Sequence, residues 1–307
     1  MRQTLFSTLT FLAAIALCSV AQAGEKFTFG TGRLFTNDYL GDGKDRWRSG
    51  AYVISKMRAS EEWDGAYPEE IGAMVEWRFR TDILAPSNIV NPNARDRRYA
   101  GTLTFGLHTY FDRQSVDYNF GVDLVAVGPS TGVGSFQSTA HRVLGAPKVS
   151  DEVLDMQIGD KIMPTISGAA SQQIRFGDAE SVRPFAEFRI GDENFARIGA
   201  DFIFGKVGQN DLWLRDVGTG QPYRATFERA YGVSFLVGGD IAFVESSQYL
   251  PSQDGITLNQ NRVRARAGVQ WQGESHSVFY GLTYLGKEFD EQSEGQVVGS
   301  VALRRRF

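Results

Sequence analysis

The chain has 307 residues, a formal net charge of −4, three histidines and a single cysteine. Mild acidity without long basic runs argues against nucleic acid as a partner. With Cys18 as the only thiol, disulfides and thiolate metal sites are excluded.

The first predicted element is a leader. Arg2 is the only charge before Glu25, Leu5 to Val20 is an almost unbroken apolar run, and Ala21-Gln22-Ala23 is a small-x-small cleavage site. The run is shorter than the ~20 residues that a spanning helix needs. Residues 1–23 therefore read as a signal peptide, and 24–307 as one domain. No later stretch approaches ~20 apolar residues, so crossing by helices is not expected. The 34 glycines, 22 phenylalanines and 11 tyrosines suit short strands, tight turns and aromatic belts.

The rest of the chain alternates. In 99–112, Leu103, Phe105 and Leu107 alternate with Thr102, Thr104, Gly106 and His108. In 115–127, Val116, Tyr118, Phe120, Val122 and Leu124 alternate with Asp117, Asn119, Gly121 and Asp123. In 193–205, Ala196, Ile198, Ala200, Phe202 and Phe204 alternate with Arg197, Gly199 and Asp201. In 263–273, Val263, Ala265, Ala267, Val269 and Trp271 alternate with Arg264, Arg266, Gly268 and Gln270. A soluble sandwich would turn the apolar face inward, and a membrane barrel would turn it to lipid. The leader, segments of ~9–13 residues and the terminal Phe307 favour the second. The fold expected is an all-β transmembrane antiparallel barrel.

Twelve strands are predicted: 26–34, 49–60, 70–83, 99–112, 115–127, 165–176, 182–190, 193–205, 231–247, 263–273, 276–288 and 295–307. An even number returns both termini to the periplasm and puts 35–48, 84–98, 128–164 and 248–262 outside. The stretch 206–230 then falls on the periplasmic side, where it is long for a turn. Within 128–164, Ser135 to Leu144 suits one short helix, with Gly145 as its stop before Pro147. A helix in an outer loop is not needed for closure and invites a functional explanation. Arg262, Arg264 and Arg266 could line an anion path, or be paired by Asp117, Asp123 and Glu187 to fill the lumen.

Candidate chemistry gathers at the outer mouth. His141 lies on the loop helix, whereas His108 sits on a polar strand face and His276 in a tight turn. Asn37 and Asp38 end the first strand and offer oxygens suited to a hard cation such as calcium. Ser49, at the start of the second strand, adds a hydroxyl to the same rim. Asn-Asp and Gly-Asp-Gly are also ordinary turn residues. Gly128-Pro129-Ser130-Thr131-Gly132 fits Gly-x-Ser-x-Gly, but Pro129 and the lack of an immediate helix speak against Ser130 as a nucleophile.

Three blocks together resemble the outer-membrane lipid A 3′-O-deacylase family. They are Asn37-Asp38 with Asp45-Arg46-Trp47-Arg48-Ser49-Gly50; Gly128-Pro129-Ser130 with Gln137 and His141-Arg142-Val143-Leu144-Gly145; and Lys287-Glu288-Phe289-Asp290-Glu291-Gln292. Arg98-Tyr99-Ala100-Gly101 is similar to a further family block. Arg48 departs from the family's usual tyrosine, and Ser49 replaces threonine while keeping the hydroxyl. Asp155-Met156-Gln157-Ile158 keeps only part of another block. Arg95, Arg97 and Arg98 are the candidates to hold a lipid A phosphate.

The resemblance implies hydrolysis of the 3′-linked acyloxyacyl ester of lipid A in the outer leaflet. His141 would be the general base, a Ca2+ ion at Asn37 and Asp38 would polarise the ester carbonyl, and Ser49 would hold water or substrate. The rivals are a passive channel or structural barrel, and an outer-membrane phospholipase with a serine–histidine pair. A closed barrel has no free edge, so a monomer is expected.

Overall fold

A computed structural model describes residues 26–93 and 95–305; the leader over 1–23 and Phe307 lie outside the described residues. Twelve antiparallel strands close into a barrel, as the alternation predicts. They are β1 (Phe27–Asn37), β2 (Trp47–Ala59), β3 (Met74–Ala85), β4 (Ala100–Arg113), β5 (Val116–Val127), β6 (Lys161–Ser171), β7 (Glu180–Ile190), β8 (Glu193–Phe204), β9 (Gly232–Ser247), β10 (Asn261–Gln272), β11 (His276–Leu285) and β12 (Gln296–Arg305). Each pairs with its chain neighbours. β1 meets β12 through Phe35↔Val301, Thr36↔Ser300 and Asn37↔Gly299. No described helix is long and apolar enough to cross a membrane.

Burial decides which face is which. Arg262, Arg264 and Arg266 on β10 are 3–5% exposed, while Val263, Val269 and Trp271 are 37–48% exposed. Phe105, Leu124, Ile198, Phe235, Ile241 and Phe243 are likewise exposed, and Glu76, Asp123, Arg197 and Asp240 are buried. That is the inverse of a soluble protein, and it suits a surround of lipid.

The lumen is filled by ion pairs. Arg266 donates to Asp201 at 2.6 Å and Asp240 at 2.5 Å, and Arg262 reaches Glu193 at 3.0 Å. The partners expected for the β10 arginines serve others instead. Asp123 accepts from Arg189 and bonds His108, Glu187 takes Arg197, and Asp117 lies 3.9 Å from Arg183. Sheet order sets this, because β10 neighbours β9 and β11, not β5 or β7.

The stretch 206–230 is not a long periplasmic turn. It folds into the barrel, where Trp213–Arg215 and Pro222–Arg224 pair as a short hairpin. Leu212, Leu214, Tyr223 and Ala225 pack against Leu34, Val53, Met57 and Phe279 of the wall. The hairpin's tip reaches the arginines: Asp216 bonds Arg80, and the Val217 carbonyl accepts from Arg197 at 3.3 Å. Gly30 and Gly32 on β1 let it lie close, since a Cβ on Gly32 would stand 2.9 Å from the Tyr223 ring.

The outer connections also differ in detail from expectation. β1 runs on to Asn37, β2 starts at Trp47 and β6 at Lys161, with Ile174–Arg175 as a separate two-residue strand beside β7. The connection 128–160 carries the expected helix as α1 (Val133–Leu144), stopped by Gly145 at φ 71°. It also carries an unexpected second helix, α2 (Asp151–Asp155), capped by Ser150.

Removing one guanidinium from this lumen strands carboxylates in it. Arg266→Met should lose about 3–5 kcal/mol of stability, read as a lower urea midpoint. Adding Asp240→Asn should recover part of that loss. An unchanged midpoint in the single variant would show that the pairs carry no structural weight.

Candidate active site

The site is built where the β1–β2 turn meets α1. After Asn37 the chain winds tightly around Asp38. The Asp38 carbonyl accepts from the Gly41 and Gly43 amides at 2.8 and 3.1 Å, and its carboxylate accepts from the Arg46 amide at 2.8 Å. Arg46 then braces the turn through Asp42 at 2.9 Å and ties it to the β11–β12 connection through Glu294 at 2.7 Å. Trp47 adopts φ 49°, a left-handed conformation that is rare for a bulky residue and marks local strain. Ser49 is the extra residue of a β-bulge, because Arg48 pairs with Leu84 and Gly50 with Ile83. Bulges of this kind re-aim side chains at functional edges.

From the other side, α1 lies against the start of β4. A Cβ on Gly101 would overlap Val133, and one on Gly134 would stand 3.5 Å from the Tyr99 ring. The inward face of α1 carries Val133, Gln137, Ser138 and, one turn on, His141. The imidazole is fixed by the turn that follows. Nδ1 donates to the Pro147 carbonyl at 2.7 Å, which leaves Nε2 as the free ring nitrogen. It faces the Asp45 carboxylate at 3.4 Å.

Asp45 links the two halves. One oxygen accepts from the Ser49 hydroxyl at 2.6 Å, and the other faces His141. The Ser49 carbonyl accepts from Asn37 Nδ2 at 2.8 Å and from the Asp38 amide at 3.2 Å. Asn37, Asp38, Ser49 and His141, separate in sequence, thus join one chain of contacts at one mouth. Sequence reasoning missed Asp45 as a member. Its position four residues before Ser49, in the block Asp45 to Gly50, was the available signal, but it carried no role of its own. Two acceptors facing each other, Nε2 and a carboxylate oxygen, call for a proton, a water or a cation between them.

Burial, helped by neighbouring Asp45 and Asp42, pushes the Asp38 carboxyl up to about 8 against the pull of the Arg46 amide. Among the described residues no cluster of three or more His, Cys, Asp or Glu is placed to hold a metal. The available donors are mixed instead: carboxylates of Asp38 and Asp45, the Ser49 hydroxyl and backbone carbonyls. An oxygen-only, mixed set fits a hard cation of the calcium kind. Buried polar atoms without a partner surround the same face, namely Tyr99 Oη, Gln137 Oε1 and Ser138 Oγ.

Other candidates lie elsewhere. Ser130 donates to Asp160 at 2.7 Å, in a 3-10 turn that precedes α1. His108 is a lumen residue on Asp123, and His276 bonds its neighbour Ser275 in an exposed turn. Of the phosphate candidates, Arg97 is 2% exposed and donates to Glu288 at 2.5 Å, so it serves the lumen. Arg95 and Arg98 remain at the surface, Arg98 against Asp254.

The family described as "Outer membrane protein LpxR" matches residues 5–307. The chain belongs to the LpxR family. Among solved structures, LpxR from Salmonella typhimurium aligns with a TM-score of 0.72 at 18% identity, covering 91% of this chain and 100% of that one. At that identity the likeness shows the fold. The CymD monoaromatic hydrocarbon channel (TM-score 0.41, 11% identity, 94% and 90% covered) and the KdgM porin with oligogalacturonate (0.40, 5%, 91% and 98%) are more distant barrels. No curated protein matches the chain. Family membership places this LpxR-family barrel in the outer membrane; the long connections, α1 among them, mark the outer mouth, because periplasmic turns of such barrels are short.

An acid whose folded pKa lies above its unfolded value holds its proton better when folded, so its ionisation weakens the fold as pH rises from about 4 towards 8. Asp38→Asn should match its parent at pH 4. Without added metal it should be the more stable protein at pH 9, by on the order of a few kcal/mol. Urea midpoints at the two pH values check this; a less stable variant at pH 9 would refute it.

Proposed function

We propose that the protein is a calcium-dependent lipid A deacylase that removes the 3′-linked acyloxyacyl group in the outer leaflet, acting as a monomer. The single observation that carries the reading is the convergence of His141 Nε2, Asp45, Ser49 and the Asn37–Asp38 turn in one chain of contacts. Membership in the LpxR family and the motif blocks supply the reaction class and substrate.

His141 is suited to take a proton from water, because Nδ1 is already committed to the Pro147 carbonyl and Nε2 is the free base. That water attacks the ester carbonyl carbon, the proton passes through Nε2 to the leaving 3′ oxygen, and a carboxylic acid and a free 3′-hydroxyl result. Asn37 supports the turn by holding the Ser49 carbonyl. Asp38 and Asp45 would hold the cation, and Ser49 would orient Asp45 or water. A bound calcium ion would polarise the ester carbonyl and stabilise the developing oxyanion. Phe136, Val143 and Leu144 are exposed on α1, and Tyr39 on the first turn, an apolar surround suited to acyl chains.

The rivals fare less well. The inner hairpin and the arginine–carboxylate pairs fill the lumen, which weighs against a passive channel. A phospholipase mechanism needs a serine on a histidine; Ser49 and Ser130 both donate to aspartates, and the Ser275–His276 contact joins chain neighbours at an exposed strand start.

Purified protein given lipopolysaccharide and calcium should release the 3′ acyloxyacyl group, seen as a mass loss in lipid A. His141→Ala should fold yet lose activity by about 100-fold or more, and Ser49→Thr should retain it. Full activity in His141→Ala, or in excess chelator, would rule the mechanism out.

Asp38 must lose its proton to bind a cation. Calcium affinity should therefore rise with pH below about 8, by up to about tenfold per unit. Calorimetry in buffers of different ionisation enthalpy would detect the released proton. A pH-independent affinity would remove Asp38 from the ligand set.

A further inference from the structure

At the outer end of the β1–β12 seam that closes the barrel, the β1–β2 turn is laid along the start of β12. The Asp42 amide donates to the Val297 carbonyl at 3.0 Å, and the Val297 amide donates back to the Asp42 carboxylate at 3.3 Å. The approach is so close that a Cβ on Gly41 would overlap the Val297 carbonyl, and one on Gly299 the Leu40 carbonyl. These contacts hold the first half of the turn. The second half, which carries Asp45 and leads into Ser49, is held by a side chain of the same strand.

That side chain is Gln296, the first residue of β12 and 2% exposed. Its Nε2 donates to the Arg46 carbonyl at 2.6 Å, and its Oε1 accepts from the Arg48 amide at 3.1 Å. Nε2 also lies 3.4 Å from the Arg48 carbonyl. The Arg46 carbonyl and the Arg48 amide belong to the two peptide units that flank Trp47. One side chain therefore grips both peptides of the residue held at φ 49°. A non-glycine residue in that conformation persists only where its surroundings over-determine it. β1 lies between β12 and β2, so no ladder hydrogen bond from β12 can do this. It takes a long side chain with a donor and an acceptor at its end, which is glutamine.

Ser49, two residues on, is the bulge residue whose hydroxyl donates to Asp45, and Asp45 faces His141 Nε2. We propose that Gln296 is a positioning residue of this site: by clamping the peptides on either side of Trp47 it sets the bulge, and through it the alignment of Ser49, Asp45 and His141. Its hydrogen bonds go to Arg46 and Arg48, so it acts through the backbone and not on the substrate. The kinetic consequence rests on the deacylase reading above; the structural one rests on the hydrogen bonds alone.

Two variants of the purified protein test this, with folding verified by heat-modifiable gel mobility. Gln296→Met keeps the length and removes both bonds. Its release of the 3′ acyl group from lipopolysaccharide in saturating calcium should slow by about 10- to 100-fold, in kcat rather than KM. Gln296→Glu adds a pH readout that a loss of packing would not give. A protonated carboxyl can still donate to the Arg46 carbonyl and accept from the Arg48 amide, whereas a carboxylate only accepts. The ratio of Gln296→Glu to parent activity should therefore rise as pH falls from about 7 to about 5, while the Gln296→Met ratio stays flat. A folded Gln296→Met with the parent's kcat, or a Gln296→Glu ratio that does not rise, would overturn the proposal. An inactive parent would sink the deacylase reading instead, and the clamp is then read without turnover. In NMR spectra the imidazole signals of His141 should move in Gln296→Met, and those of His108 and His276 should stay. Unmoved His141 signals would overturn the clamp whatever the parent's activity.

Discussion

A charge placed inside a wall that faces lipid has to find its opposite within the barrel. This constraint organises the molecule. The guanidinium of Arg266 spans Asp201 and Asp240, Arg189 spans Asp123 and Asp192, and Arg48, Arg97 and Arg262 converge on Glu288. A buried pair of this kind contributes little net stability, yet removing one member costs several kcal/mol. The network therefore fixes which strands sit together more than it strengthens the fold. The inner hairpin is part of the same balance, because Asp216 and the Val217 carbonyl reach Arg80, Arg197 and Arg264.

The outer-mouth cleft is where the balance fails. Burial alone would raise the Glu288 carboxyl, but Arg48, Arg262 and Arg97 hold it well below the usual carboxylate range. Asp38 is as deeply buried, meets the backbone amides of Arg46 and Tyr39 and has Asp45 and Asp42 nearby, so its carboxyl moves the other way. Asp45 meets a hydroxyl and an imidazole. A protein that compensates its lumen carboxylates with arginine leaves these two to something else. On the function proposed above, a bound cation would supply that charge and leave room for substrate oxygens, which a guanidinium would block. The lumen and the cleft also touch: a Cβ on Gly218, at the hairpin tip, would lie 3.4 Å from Arg48, the residue before Ser49.

Much of this was legible in the sequence, and what was not has a physical reason. Alternation of Val263, Ala265 and Val269 with Arg264 and Arg266 gives the strand and its two faces, because the side-chain period is fixed at two. It cannot give the partners of those arginines, which depend on sheet order and on Glu193 and Glu288 near the outer ends of other strands. Leu212-Trp213-Leu214 and Gly218-Thr219-Gly220 carry hairpin cues, but no local cue says that a hairpin lies inside a barrel. Gly145 after an amphipathic run marks the end of α1 directly. Asp45 was hidden because its role arises only when the turn winds around Asp38 and brings α1 over it.

The two ends of the closing seam follow from the same placement of residues. Asn37 makes the outermost β1–β12 pair with Gly299 and also holds the Ser49 carbonyl beneath Asp45. Loosening closure there would shift Ser49, Asp45 and the base they face, so the outer seam must be tight if the cleft is to stay aligned. No such demand acts at the inner end, where Gly30 and Gly32 leave space and the Ala225 carbonyl satisfies the Thr31 amide. The Thr31 amide there is hydrogen-bonded without the last strand, which lowers the usual cost of an unpaired amide in lipid. The inner hairpin therefore does two jobs. It brings Asp216 to the lumen arginines, and it takes the Thr31 amide of β1 where β1–β12 pairing is not seen.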